Sequence, residues 1–118
     1  MPNPVVHFEI AGKNGKGLQD FYTKLFGWKV NSDNPMNYGL VETGAKAGIN
    51  GGIMSTQGDM PAYVTFYIEV DDLQAYLDRA KSLGGKPVVP PTPIPGMGSF
   101  AMFNDPEGHL IGLFKSSV

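Results

Sequence analysis

The chain has no cysteine. That excludes disulfides, zinc sites of the thiolate kind and a cysteine nucleophile, but it identifies no compartment, because a cysteine-free chain suits any. Charge is sparse: 17% of residues are Asp, Glu, Lys or Arg, the formal net charge is -2, and the lysines are scattered singly. Without a basic stripe, nucleic acid is not an expected partner. No stretch approaches the ~20 apolar residues of a membrane span. Met1-Pro2-Asn3-Pro4 has neither the basic start nor the apolar run of a signal peptide. The expectation is a cytoplasmic protein with no membrane partner. The rest is ordinary for a small globule, since 118 residues with 42% hydrophobic content suffice to bury roughly two thirds of the unfolded surface in one core.

What the chain does have is internal repetition. Val6-His7-Phe8-Glu9-Ile10 recurs 58 positions on as Val64-Thr65-Phe66-Tyr67-Ile68, and Gly27-Trp28-Lys29-Val30 answers to Gly85-Lys86-Pro87-Val88 at the same offset. Gly48, Gly52, Ile53 and Met54 are matched at offset 60 by Gly108, Gly112, Leu113 and Phe114. A stacked array needs about three units to bury its faces. Two units instead predict a single domain, residues 1–118, closed on itself with internal twofold symmetry. The first module covers 4–56 and the second 61–115, with Thr56-Gln57-Gly58-Asp59-Met60-Pro61 as the linker.

Periodicity assigns the elements. Val6, Phe8 and Ile10 alternate with Val5, His7 and Glu9 in a strand from about Pro4 to Ile10. Gly12-Lys13-Asn14-Gly15-Lys16-Gly17 reads as a flexible turn. Its amides and lysines suit an anion, but its spacing matches neither a P-loop nor a dinucleotide fingerprint. Leu18, Phe21, Tyr22, Leu25 and Phe26 then fall at helical spacing, predicting an amphipathic helix with Phe21, Tyr22 and Phe26 in the core, stopped at Gly27. Strands follow near Lys29 to Ser32, Asn37 to Glu42 and Ile49 to Ser55, with a turn at Asp33-Asn34-Pro35.

The second copy repeats this order. A strand from Tyr63 to Val70 leads, through an Asp71 or Asp72 cap, into a helix carrying Leu73, Tyr76, Leu77 and Ala80, which ends at Gly84-Gly85. Strands are expected near Lys86 to Val89, Ser99 to Phe103 and His109 to Phe114, the last two joined by a turn at Asn104-Asp105-Pro106-Glu107-Gly108. The proline-dense Pro90-Pro91-Thr92-Pro93-Ile94-Pro95-Gly96 is expected to be an exposed loop, a rigid rim or a dimer contact, because proline cannot donate to a ladder. The fold class is α+β, with the order βαβββ twice.

This pattern resembles the vicinal oxygen chelate superfamily of glyoxalases, bleomycin-resistance proteins and extradiol dioxygenases. The resemblance rests on the tandem βαβββ order, Asp20-Phe21-Tyr22 followed by Leu25-Phe26-Gly27-Trp28, and Asn104-Asp105-Pro106-Glu107-Gly108-His109. It implies paired modules forming an open, cup-like mixed sheet with helices outside, and a homodimer. It also implies where a metal would sit in the metalloenzyme members: at His7, Gly52, Thr65 and Gly112, one on the first and one on the last strand of each module. Glycine has no ligand to offer and a threonine hydroxyl is a poor one, so only His7 remains, whereas a catalytic divalent ion takes about three protein ligands. A divalent metal is therefore disfavoured, and no cofactor is expected.

By the period-two rule Glu9 shares a face with His7, and Tyr67 and Glu69 share one with Thr65. With Met54 and Phe114 as an apolar floor, these residues are the expected ligand contacts. His7 and Glu9 are also the candidates for acid–base work, although acidic residues at strand ends are more often solvated than coupled. The expected function is small-molecule binding in a cleft that lacks the usual metal ligands. The alternatives are a metal-dependent glyoxalase-like lyase, isomerase or dioxygenase using His7, or a metal-free acid–base enzyme.

Overall fold

The computed structural model describes residues 2–34, 37–44 and 46–117. Its elements are β1 (Val5–Gly12), α1 (Gly15–Phe26), β2 (Lys29–Asn31), β3 (Gly39–Glu42), β4 (Gly51–Ser55), β5 (Tyr63–Glu69), α2 (Leu73–Ser82), β6 (Lys86–Ile94), β7 (Gly98–Asn104) and β8 (Leu110–Ser116). The order is βαβββ twice, and the class is α+β. Residues 7–64 form one compact unit, and residues 2–6 with 65–117 form the other.

The two units are wired alike. In the first, β1 runs parallel to β4 with Glu9 opposite Gly52, β4 pairs antiparallel with β3, and β3 with β2. In the other, β5 runs parallel to β8 with Tyr67 opposite Gly112, β8 pairs antiparallel with β7, and β7 with β6. Each is a mixed sheet, with the helix forming the crossover that a parallel strand pair requires. The repeated offsets in the sequence thus correspond to repeated pairings: Glu9 and Gly52 in one unit stand where Tyr67 and Gly112 stand in the other.

Local chemistry sets the helix ends. Asn14 caps α1 by accepting from the Gly17 amide, and Asp72 caps α2 by accepting from the Ala75 amide, which decides between the two candidate aspartates. Gly27 ends α1 at φ 72°, a left-handed conformation open to glycine at no steric cost. The glycine-rich stretch is a shorter turn than expected, because β1 runs to Gly12 and α1 already begins at Gly15, whose amide donates to Ser55 Oγ at 2.9 Å. Pro35 of the expected turn lies outside the described residues.

The two helices differ in what they bury. Leu73 and Leu77 of α2 pack with Val70, Ala101 and Leu113 in a dry cluster against the sheet. In α1 the buried residues are Gly15 and Gln19, and Gln19 Nε2 donates to the Ile53 carbonyl at 2.9 Å. Phe21, Leu25 and Phe26 remain 57%, 57% and 56% exposed. The expectation that Phe21 and Phe26 are core is therefore corrected. Gly15, tied to β4, sets the rotation of the helix, and at 3.6 residues per turn Phe21 and Leu25 fall roughly 100° or more from the Gly15–Gln19 line. Tyr22 is half-buried, stacked on Trp28 at 5.6 Å, and Phe26 lies against the same indole at 5.2 Å.

The proline-dense segment is corrected as well. Residues up to Ile94 belong to β6, with Thr92 opposite Phe100 and Pro93 opposite Ser99. The ladder tolerates them because β6 pairs on one side only and slips register between Pro87 and Val89 and again between Val89 and Thr92. On an outer strand, a proline nitrogen facing away from the partner forfeits no ladder bond.

Candidate functional site

In the unit of residues 7–64, β1 places His7 and Glu9 on one side of the strand, two residues apart. Tyr38, just ahead of β3, reaches both. Its hydroxyl donates to Glu9 Oε1 at 2.8 Å and lies 2.9 Å from His7 Nε2. The backbone of Tyr38 is clamped by Asn34, which accepts from its amide at 2.9 Å and donates to its carbonyl at 2.6 Å. A second phenol, Tyr63 at the start of β5, donates to Glu9 Oε2 at 2.5 Å.

Glu9 is 4% exposed, so the expectation of a solvated strand-end carboxylate is corrected. A carboxylate is removed from water at high cost unless it is hydrogen-bonded, and here each oxygen accepts a phenol. The surroundings shift the neighbours. Burial lowers the pKa of His7 below its ordinary value, against the opposing pull of the Glu9 charge. Burial raises the pKa of Tyr63 well above the usual phenol range, reinforced by its hydrogen bond to Glu9 and by that carboxylate's charge.

The glycines opposite these groups have lost their side chains to close neighbours. A Cβ built on Gly52 would collide with the Tyr38 phenol, and one on Gly112 would collide with the Tyr67 ring. In the unit of residues 65–117, Tyr67 is buried, lies across its register partner Gly112 and meets Phe100 edge-on at 6.5 Å. Thr65 is also buried and donates its hydroxyl to the Leu110 carbonyl at 2.5 Å. Glu69 stands opposite Phe114 and lines a shallow polar groove of about 630 Å³ with Asn3, Asp71 and Lys115. In the other unit Met54 pairs with Ala11 and is half-buried. Each unit thus gathers its own set: His7 and Glu9, joined by Tyr38 and Tyr63, in one, and Thr65, Tyr67, Glu69 and Phe114 along β5 and β8 in the other.

Sequence reasoning missed Tyr38 and Tyr63. Tyr63 carried a signal, since it precedes Thr65 by one strand period. For Tyr38 the only clue was Gly52 itself, because a glycine inside a strand often marks the close approach of another group.

The family model for the glyoxalase/bleomycin resistance protein/dioxygenase superfamily matches residues 5–113. The chain belongs to this superfamily. It is 28% identical to the anthracycline biosynthesis protein DnrV of Streptomyces peucetius, over 99% of this chain and 48% of that protein. It spans about half the length of the curated relatives it matches. Among solved structures, methylmalonyl-CoA epimerase of Mycobacterium tuberculosis superposes with a TM-score of 0.65 at 18% identity, over 97% of this chain and 88% of that one. Protein BH1468 of Bacillus halodurans C-125 does so with a TM-score of 0.72 at 16% identity, over 100% and 97%. At these identities the superpositions establish the fold alone.

The superfamily's metalloenzymes invite a test of the four positions on β1, β4, β5 and β8. His7 has its Nε2 engaged by Tyr38, Gly52 and Gly112 lie under tyrosine rings, and the Thr65 hydroxyl is given to a backbone carbonyl. Among the described residues no three His, Cys, Asp or Glu side chains are grouped to hold an ion. This donor set does not fit a catalytic divalent metal, which takes about three protein ligands.

Proposed function

We propose that this chain is a small-molecule binding protein of the glyoxalase/bleomycin-resistance kind that works without a resident metal. The observation that carries the reading is Tyr38: its ring fills the space over Gly52, and its hydroxyl joins His7 to Glu9. A position that would present a carboxylate to an ion presents instead a hydrogen-bonded phenol. Such a surface, part aromatic with a few fixed polar groups, suits an organic ligand. The proposed contacts in the unit of residues 7–64 are His7, Glu9 and Met54; those proposed in the other unit, taken by itself, are Thr65, Tyr67, Glu69 and Phe114. The relative named for anthracycline biosynthesis supports a small organic ligand over a macromolecule. The superfamily hosts both enzymes and binding proteins, so the chemistry rests on the site and not on the fold.

The test is isothermal titration of chelator-treated protein with nickel, zinc, manganese and ferrous iron, beside His7→Ala. The expected result is no binding near micromolar affinity. One ion per chain, lost in His7→Ala, would overturn the proposal in favour of a metal-dependent lyase, isomerase or dioxygenase.

One observation favours a second reading, metal-free acid–base catalysis: an imidazole joined through a phenol to a buried carboxylate. Deuterium exchange into the carbon next to a carbonyl, abolished by His7→Gln, would support it. We also propose a homodimer, for which the exposed Phe21, Leu25 and Phe26 of α1 speak. Sedimentation showing a monomer at all practical concentrations would refute that.

A further inference from the structure

We propose that the groove beside the start of α1, within the unit of residues 7–64, binds small amphiphilic organic anions, with the apolar body along the groove and the carboxylate at Lys13. The groove has a volume of about 690 Å³, inside the range of small-molecule pockets. Its walls are Ile10 near the end of β1, Leu18 and Tyr22 of α1, and Tyr63 and Val64 where β5 begins. Tyr22 is held in place by its stack on Trp28, with ring centroids 5.6 Å apart. Val64 is 73% exposed, so its apolar surface is open to a ligand, and covering it is favourable.

The charge of the lining sets the ligand class. Lys13 is a cation in it, and no Asp or Glu accompanies it there. Among the described residues no acidic side chain is paired with Lys13. The anion is assigned to this ammonium and not to the helix end, because the first-turn amides of Gly15, Gly17 and Leu18 are already taken by Ser55 and Asn14. The internal repeat supplies a contrast. Counting 58 positions on, Ala11, Gly12, Lys13 and Leu18 correspond to Glu69, Val70, Asp71 and Tyr76, and these four line the groove of about 630 Å³ in the other unit. There Asp71 answers to Lys13, Glu69 adds a second carboxylate against the cation of Lys115, and the Tyr76 hydroxyl accepts from Asn3 at 3.1 Å. Corresponding grooves are thus apolar and cationic in one unit and polar and acidic in the other, so an organic anion selects the first. This site does not rest on the proposed role of His7 and Glu9, neither of which lines it.

Phenylbutyrate and phenylbutanamide test this, since they share an apolar body and differ in the charge. In 1H–15N spectra of the labelled full chain at low salt, where exposed charges are least screened, phenylbutyrate should saturably shift the amides of Gly12, Lys13 and Val64 and leave those of Val70, Asp71 and Tyr76 in place. Phenylbutanamide should bind about fivefold more weakly, the upper range for an exposed charge pair. In Lys13→Gln the two probes should bind alike. Val64→Glu, at an exposed position, sets a carboxylate in the groove and should weaken phenylbutyrate more than phenylbutanamide. The proposal is overturned by the absence of saturable shifts, or by shifts confined to Phe21, Leu25 and Phe26 or to His7 and Tyr38. A preference for the carboxylate that survives Lys13→Gln overturns it equally, because the cation would then lie elsewhere.

Discussion

The phenol of Tyr38 occupies the space that any side chain on Gly52 would need. Gly52→Ala should therefore cost about 1–3 kcal/mol through overpacking, read as a lower urea midpoint at unchanged slope. Combined with Tyr38→Ala, the penalty of Gly52→Ala should shrink, because the group it strikes is gone. Strictly additive penalties would show that the two residues do not compete for space.

Tyr63→Phe removes the donor to Glu9 Oε2. Losing one partner of a buried charged group costs about 1–3 kcal/mol, again measurable by chemical denaturation. The same variant should alter the alkaline absorbance titration. The raised pKa of Tyr63 means that its neutral form is favoured by folding. That contribution is present below the ordinary phenol value of about 10 and is lost as pH rises beyond it. The late-ionising absorbance should fall by one residue in Tyr63→Phe.

His7 gives a pH dependence of opposite sense. Its pKa is lowered in the folded chain, so between that value and the ordinary one of about 6.5 the unfolded chain binds more protons. The stability contributed by neutral His7 is present above about pH 6.5 and declines as pH falls towards the lowered value. Unfolding free energies at about pH 7.5 and about pH 5 should differ less in His7→Gln than in the unmodified protein. An equal difference in both would assign the acid sensitivity elsewhere.

The two helices should respond unequally to truncation. Leu77→Ala in α2 deletes a fully buried side chain and should cost about 2–5 kcal/mol. Leu25→Ala in α1 removes an exposed one and should stay within about 0.5 kcal/mol in the dissociated chain. If a second copy covers α1, Leu25→Ala should shift the sedimentation equilibrium towards monomer. A large stability loss with no change in assembly would mean that Leu25 belongs to an intrachain core.

The module order was legible because it depends on local and repeated features. Caps such as Asn14 and Asp72, the stop at Gly27 and the period of β1 all follow from neighbours a few residues apart. Helix rotation was not legible. The spacing of Leu18, Phe21, Tyr22, Leu25 and Phe26 names an apolar stripe, but the contact of Gly15 with Ser55 and of Gln19 with Ile53 decides which side of α1 faces the sheet. The strand through Pro93 depends equally on what lies beside it, since only a one-sided strand tolerates it.

By itself, then, the sequence determined the duplicated βαβββ order, the absence of ligating side chains at two paired positions, and the presence of His7 and Glu9 on one face of β1. Only the tertiary structure decided what those residues do to each other. Tyr38 is 29 residues from Glu9, and Tyr63 is 54. No periodicity spans such distances. Strand register and the Asn34 turn bring the two phenols onto one buried carboxylate, and burial there raises the pKa of Tyr63.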